Sequence, residues 1–140
     1  MKNPEIIAEA PKIKIPQGNY TAVCYRADYK KTQFGKRLFL NFRITEGEYS
    51  NMESFMTIPI TKNKYRKGTK LYEQWSLAIG RFPYKGEKFN TNVFVNKLYE
   101  VKVRNTNCRF SGGKLKPDFM QYSVVGTIIE ALTGVPCDEN

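Results

Sequence analysis

The sequence predicts an all-β domain of five short strands with one or two short helices. Three observations lead to this prediction. Apolar residues alternate with polar ones in several short stretches, which is the period of a half-buried strand. Helical spacing of apolar residues occurs after the third of these stretches. The chain has 140 residues, of which 41% are hydrophobic and 14% aromatic, enough to bury the core of a single domain.

The first two predicted strands carry the strongest pattern. Residues 19–28, NYTAVCYRAD, are rich in β-branched and aromatic side chains. In the second strand, core positions alternate with positions of mixed chemistry: Leu38, Leu40, Phe42 and Ile44 against Phe39, Asn41, Arg43 and Thr45. The second set contains an aromatic ring, an amide, a cation and a hydroxyl. Such a face is more typical of a hydrated binding surface than of a surface that only contacts solvent.

A third strand and a helix follow. MESFMTIPI, residues 52–60, predicts the strand, and Pro59 marks an edge or a bulge because proline lacks a ladder donor. Thr69 is a suitable N-cap for the helix KLYEQWSLAIG, and Gly80 suits its C-terminal end. Trp75 is expected to pack into the core beneath the strands.

Two more strands and a second helix complete the predicted order. In the fourth strand Tyr99, Val101 and Val103 are expected to face the core. The fifth strand is placed in DFMQYSVV, residues 118–125. A short helix is then expected from a cap at Ser123 or Thr127 through residues 128–132.

Five short strands with a helix between strands 3 and 4 is the order of an OB-fold, a small Greek-key barrel. A five-stranded SH3-like barrel is the main structural alternative, but it leaves the helix at 69–80 unexplained. We expect an N-terminal arm at residues 1–18, the OB-fold domain at 19–134 and a short acidic tail at 135–140.

Charge is unevenly distributed along the chain. The net charge is +10, and residues 30–116 contain 19 Lys and Arg against six acids, whereas residues after Pro117 include no Lys or Arg. A basic body of this kind predicts a polyanionic partner. Two glycine-containing basic loops are expected within it, YKKTQFGKR at 29–37 and NTNCRFSGGKLKP at 105–117, each with one Phe.

Cations bind a phosphate backbone and flat rings stack on bases, so these loops and the mixed strand faces predict a nucleic-acid groove. In an OB-fold the face of strands 2 and 3 binds oligonucleotides, flanked by the loops between strands 1 and 2 and strands 4 and 5. The alternative for the strand phenylalanines is packing under the helix or in a dimer interface. The candidate binding residues are Tyr29, Lys30, Lys31, Phe34, Lys36, Arg37, Phe39, Asn41, Arg43, Phe55, Thr57, Lys102, Arg104, Arg109, Phe110, Lys114 and Lys116.

Other functional classes find little support in the sequence. The chain has no His, its three cysteines are widely spaced, and neither a P-loop nor a GxSxG motif is present, so we expect no enzyme, no cofactor and no metal. No apolar run approaches the roughly 20 residues of a membrane span. The first residues lack the apolar stretch of a signal peptide, which predicts a cytoplasmic protein without a membrane partner.

Three stretches resemble the small single-stranded-DNA-binding proteins of phages and other mobile elements: GNYTAVCYRAD, GKRLFLNFRITEGEY, and VNKLYEVKVRN followed by YSVVGTIIEAL. The similarity covers roughly residues 17–132. It implies an OB-fold that coats single strands during replication or recombination, contacts with replication or recombination proteins, and homo-oligomers. Bacterial proteins of this kind end in an acidic tail with a terminal Pro-Phe, whereas this chain ends in GVPCDEN.

The leading hypothesis is therefore sequence-tolerant binding of single-stranded DNA. An RNA-binding OB module is the first alternative, since the distinction depends on contacts to the 2′-hydroxyl. The second is a protein-interaction or inhibitor module whose basic face meets an acidic protein.

Overall fold

The computed structural model describes residues 13–33, 35–60, 69–106, 112–114, 116–117 and 121–132. Its framework is an antiparallel five-stranded sheet, with strands β1 (Gly18–Thr32), β2 (Gly35–Ile44), β3 (Glu53–Pro59), β4 (Lys97–Asn105) and β5 (Ser123–Ala131). Helix α1 (Lys70–Ile79) and a 3-10 turn (Thr91–Val93) lie between β3 and β4. The spatial order of the strands is β3-β2-β1-β4-β5.

The strand alternation defines the core as the sequence predicts. On β2, Leu38, Leu40 and Phe42 are at most 1% exposed, and Tyr99 and Val101 on β4 are fully buried. The long strand β1 joins the two parts of the sheet. Its first half pairs with β4, and its second half continues past β4 while pairing with β2.

Helix α1 has the predicted ends. The Thr69 hydroxyl accepts a hydrogen bond from the Tyr72 amide at 3.3 Å, which satisfies a donor in the first turn. Gly80 adopts a left-handed conformation with φ of 76°, where a side chain would be strained. Trp75 is 2% exposed and packs edge-on against Phe89, so its core position is confirmed.

Strands β3 and β5 end the sheet order, and they pack against each other without a strand ladder between their described residues. Side chains bridge this seam. The Ser54 hydroxyl donates to the Ser123 carbonyl at 2.9 Å. The Gln74 amide on α1 accepts from the Ile128 backbone N–H at 2.7 Å and donates to the Thr127 hydroxyl at 2.9 Å. Gln74 therefore satisfies a donor on β5 that has no partner strand on that side.

The described part of the predicted N-terminal arm lies along the start of β5. The Ile13 carbonyl accepts from the Ser123 amide at 2.8 Å, and the Ile15 amide donates to the Ser123 hydroxyl at 2.8 Å. Ile15 is 3% exposed and belongs to the core. This segment thus extends the packing at the open end of β5, while the predicted tail at 135–140 lies outside the described residues.

Three predicted elements differ from the structure. The fifth strand, predicted at 118–125, is found at Ser123–Ala131. The segment 29–37 is not a loop, because β1 continues to Thr32, β2 starts at Gly35, and those two residues pair. The helix predicted through Ile128 and Ile129 is wrong, since residues 123–131 form β5. Apolar residues at 128, 129 and 132 fit a helix, but the β-branched run around them favours a strand, and pairing with β4 decides the outcome.

In the part of the chain that the structure describes, no helix has both the length and the apolar character needed to cross a membrane.

Candidate nucleic-acid interface

The strands β1, β2 and β3 present an outer face on the side opposite the core. Because side chains alternate along a strand, the register arranges this face in rows across the three strands. One row is Asp28, Phe39 and Thr57, and the next is Arg26, Asn41 and Phe55. The pair Lys30 and Arg37 forms the row at one end of this face, and the pair Arg43 and Glu53 forms the row at the other end.

Three aromatic rings form a continuous row across this face. The Phe39 and Phe55 ring centroids are 6.4 Å apart, and the Phe55 and Tyr122 centroids are 6.2 Å apart with planes at 27°. All three residues are half-buried, so each keeps part of its ring accessible. This ring row, Phe39, Phe55 and Tyr122, runs from β2 across β3 to the residue preceding β5.

Cations lie beside rings on the same face. The Lys30 amine is 5.3 Å from the centroid of Phe39, and the Arg43 guanidinium is 5.1 Å from that of Tyr25. A cation over a ring is attracted to its negative face, which holds the long side chain in place. The combination gives positive charge next to accessible aromatic surface, as binding of a single strand requires.

The hairpin formed by the ends of β1 and β2 has a second basic side. Tyr29, Lys31 and Lys36 alternate with Lys30 and Arg37, so they point to the opposite surface. Tyr29 is 52% exposed, and the Lys36 amine is 6.0 Å from its ring centroid. These three predicted residues therefore lie near the outer face but not on it. Phe34 lies outside the described residues.

Two carboxylates on this face are engaged by neighbours. Asp28 accepts from the Arg26 guanidinium at 2.7 Å. Glu53 accepts a hydrogen bond from the Tyr25 hydroxyl at 3.0 Å. Burial, together with this bond to Glu53, raises the pKa of the Tyr25 phenol, so it remains a donor at neutral pH. Neither acid is an isolated negative charge facing the ring row.

The two predicted β4 residues lie in different surroundings. Arg104 is paired in register with Val124 on β5, and it lines a depression that also contains Phe55 and Thr57. Lys102 is exposed and pairs with Asn19 on β1 and Thr127 on β5, away from β2 and β3. The structure thus brings Arg104 to the end of the ring row and leaves Lys102 apart from it.

The second predicted basic loop is described only in part. Lys114 is exposed, and the Lys116 carbonyl accepts from the Gln121 side-chain amide at 3.2 Å, which places Lys116 close to the start of β5. Arg109 and Phe110 lie outside the described residues.

Sequence reasoning missed three residues of this face: Tyr25, Lys70 and Tyr122. A bulge between Cys24 and Arg26 on β1 adds one residue, which directs Tyr25 to Arg43 and Glu53. Tyr122 was included in the fifth strand, but it precedes β5. Lys70 is the first residue of α1, and its amine donates to the Thr57 carbonyl of β3 at 3.4 Å. These contacts depend on the bulge in β1, on the packing of β5 on β3 and on the placement of α1 beside β3.

Other chemistry is weakly represented. Within the described ranges, no group of three His, Cys, Asp or Glu side chains is arranged to hold a metal ion. Cys24 is fully buried, and burial raises the pKa of its thiol to about 11, so it is a core residue rather than a reactive thiolate.

No protein-family model matches the chain, and no curated protein matches it.

Proposed function

We propose that this protein binds single-stranded DNA, with little dependence on sequence, through the outer face of β1, β2 and β3. The observation that carries the proposal is the ring row, with Lys30 at one end and Arg104 at the other. Bases stack on accessible rings while phosphates pair with the flanking cations. Duplex DNA hides its base faces, so such a row favours a single strand.

Stacking explains the expected tolerance to sequence. Every base has a π-face, and each base that stacks on a ring contributes about 1–3 kcal/mol. Asn41 is the polar side chain between Arg26 and Phe55 in register, and it is the candidate for direct contact with a base edge. One amide among three rings supports a modest preference at most.

The strand arrangement supports an OB-fold as the scaffold of this function. The order β3-β2-β1-β4-β5, the packing of β3 on β5, and the helix between β3 and β4 are features of that Greek-key barrel. In an OB-fold the face of strands 2 and 3 is the oligonucleotide-binding face. The ring row crosses the same two strands.

A role in replication or recombination of a phage or mobile element follows from the resemblance in the sequence. Coating of a single strand requires several copies, because one small barrel covers about 4–16 nucleotides. Homo-oligomers and contacts with replication or recombination proteins belong to the same proposal.

Fluorescence anisotropy with labelled dT oligomers of several lengths tests the function. We expect tight binding that strengthens with length and weakens with salt, at a slope of about −0.7 in log K per log salt for each phosphate neutralised. A matched duplex is expected to bind weakly. Equal affinity for the duplex overturns the proposal, as does no binding at low salt.

Two further arms identify the alternatives. An RNA oligomer of the same sequence competing better than DNA reassigns the face to RNA. A tight complex with an acidic protein that survives nuclease treatment, without binding to dT, reassigns it to protein recognition. Phe39→Ala tests the proposed site and is expected to weaken binding to dT. Tyr84→Ala is the control, because it removes an exposed ring from the segment after α1.

A further inference from the structure

A cavity of about 280 Å³ opens at the seam between β3 and β5, at the end of the ring row. The rings of Phe55 and Tyr122 line this seam cavity together with Val124 and Val125 of β5. Its remaining lining residues are polar: Thr57, Lys70, Arg104 and Thr106. The cavity therefore combines aromatic surface, hydroxyls and two cations in one place.

The two cations come from different elements. Lys70 is the first residue of α1, and Arg104 lies near the end of β4. Neither forms an ion pair with a described residue: the Lys70 amine donates to the Thr57 carbonyl at 3.4 Å, and the Arg104 guanidinium to the Asn105 carbonyl at 3.4 Å. Among the described residues, the acceptors of these two positively charged side chains are backbone carbonyl oxygens.

The pKa of Lys70 reflects its burial and two neighbouring charges. Burial lowers the pKa of its amine, and the nearby charge of Arg104 lowers it further, while Glu73 on the same helix acts in the opposite direction. A bound anion between the two cations removes the cost of keeping them together. Burial is the larger cause of the lowered pKa, and the contribution of Arg104 shows that the two cations are close enough to repel each other.

The fold also shapes the approach of Arg104. Gly126 on β5 lies under its side chain, and a Cβ atom built at Gly126 is 3.2 Å from the Arg104 Cδ atom. A side chain at this position would displace the guanidinium stem. The glycine lets Arg104 lie across β5 toward the seam rather than away from it.

We propose that the seam cavity binds one phosphate of the nucleic-acid strand between Lys70 and Arg104, with the attached nucleotide stacked against Tyr122. This inference rests on the proposed function and names a defined phosphate position within it. The other cations of the face lie along an open surface, where a phosphate is held loosely. The cavity instead fixes the position of the strand relative to the ring row.

The double variant Lys70→Gln/Arg104→Gln tests the proposal against Lys85→Gln/Lys88→Gln. The control pair removes the same charge from exposed positions beyond the other end of α1. Anisotropy with dT15 is measured from low to moderate salt. We expect the cavity variant to lose at least tenfold in affinity and about 0.7 in salt slope, the value for one phosphate on a single strand. The control pair is expected to change affinity less than threefold. Equal losses in both variants overturn the inference while the function stands.

A second measurement separates the two proposals. Thymidine 3′,5′-bisphosphate is titrated into the protein while backbone amide NMR signals are followed. Shifts concentrated at Thr106, Tyr122 and Gly126 support the cavity even if dT15 does not bind, and shifts elsewhere or none overturn it. The variant Lys70→Arg keeps a cation at this position and is expected to retain binding. Thermal unfolding of each variant identifies losses of affinity that result from misfolding.

Discussion

Two surface depressions of the described residues differ in chemistry, and the larger of these two has the wrong chemistry for nucleic acid. A groove of about 520 Å³ lies between α1 and the end of β5, and the seam cavity has about 280 Å³. Leu77, Phe82 and Ile129 make the larger groove apolar, and Glu73 and Glu130 line it as well. The seam cavity has Lys70 and Arg104 instead.

The comparison shows that charge and ring placement, rather than volume, distinguish the two regions. Arg81 lines the apolar groove, but its guanidinium is held by both carboxylate oxygens of Glu87, at 2.9 and 3.0 Å. A phosphate approaching this groove meets Glu73 and Glu130 with no uncommitted guanidinium between them. Near the seam, Lys70 and Arg104 donate to backbone carbonyls within the described part of the chain, so the same phosphate finds donors there.

The largest effect is expected from removing two rings of the row. Phe39→Ala/Phe55→Ala deletes two stacking platforms, which at about 1–3 kcal/mol each lowers dT affinity by roughly 30-fold or more. Phe82→Ala removes a ring that is 65% exposed from the apolar groove and is expected to leave affinity unchanged. Anisotropy with dT15 compares them. Similar losses in the two variants would contradict the assignment of the binding face.

The next effect is on stability and concerns the helix that borders both depressions. Gln74→Met leaves the buried Ile128 amide without its acceptor, which costs about 1–3 kcal/mol of unfolding free energy. Gln33→Met, at the exposed hairpin turn, is the control. Urea unfolding followed by Trp75 fluorescence measures both. An unchanged midpoint for Gln74→Met would show that the seam does not depend on this bond.

A charge exchange between the regions follows. Arg43→Glu places a carboxylate on the outer face, and we expect roughly tenfold weaker binding, about 1.4 kcal/mol, with a smaller salt slope. Glu130→Lys adds a cation at the apolar groove and is expected to change affinity less than twofold, because salt screens exposed charges beyond about 8–10 Å. If Arg43→Glu weakened dT binding by the same factor by which Glu130→Lys strengthened it, affinity would depend on the net charge of the protein and not on the position of the charge.

The smallest expected effect comes from crowding Arg104 without removing it. Gly126→Ala brings a methyl group to within 3.2 Å of the Arg104 side chain, which must shift by a few tenths of an ångström. We expect a loss of about twofold in dT affinity, smaller than that of the Lys70→Gln/Arg104→Gln variant. A loss of affinity as large as that of the double variant would mean that binding depends on the backbone of β5 at Gly126 rather than on the charge of Arg104.

Local patterns identified most of the framework. Alternation on β2 placed Leu40 and Phe42 in the core, and both are at most 1% exposed. Thr69 and Gly80 marked the ends of α1, since capping depends on the residues at the helix ends. The short helix predicted near the C-terminus failed because a short apolar run fits both periods, and pairing with β4 decided it.

The sequence by itself determined the strand alternation, the helix caps, the basic charge and the presence of rings among cations, because each depends on neighbours along the chain. The tertiary structure decided which of these side chains meet. Tyr122 stacks on Phe55, 67 residues earlier in the chain, and Lys70 of α1 reaches the Thr57 carbonyl of β3. The first contact depends on the packing of β5 on β3 and the second on the placement of α1 beside β3, and neither is contained in a local sequence pattern.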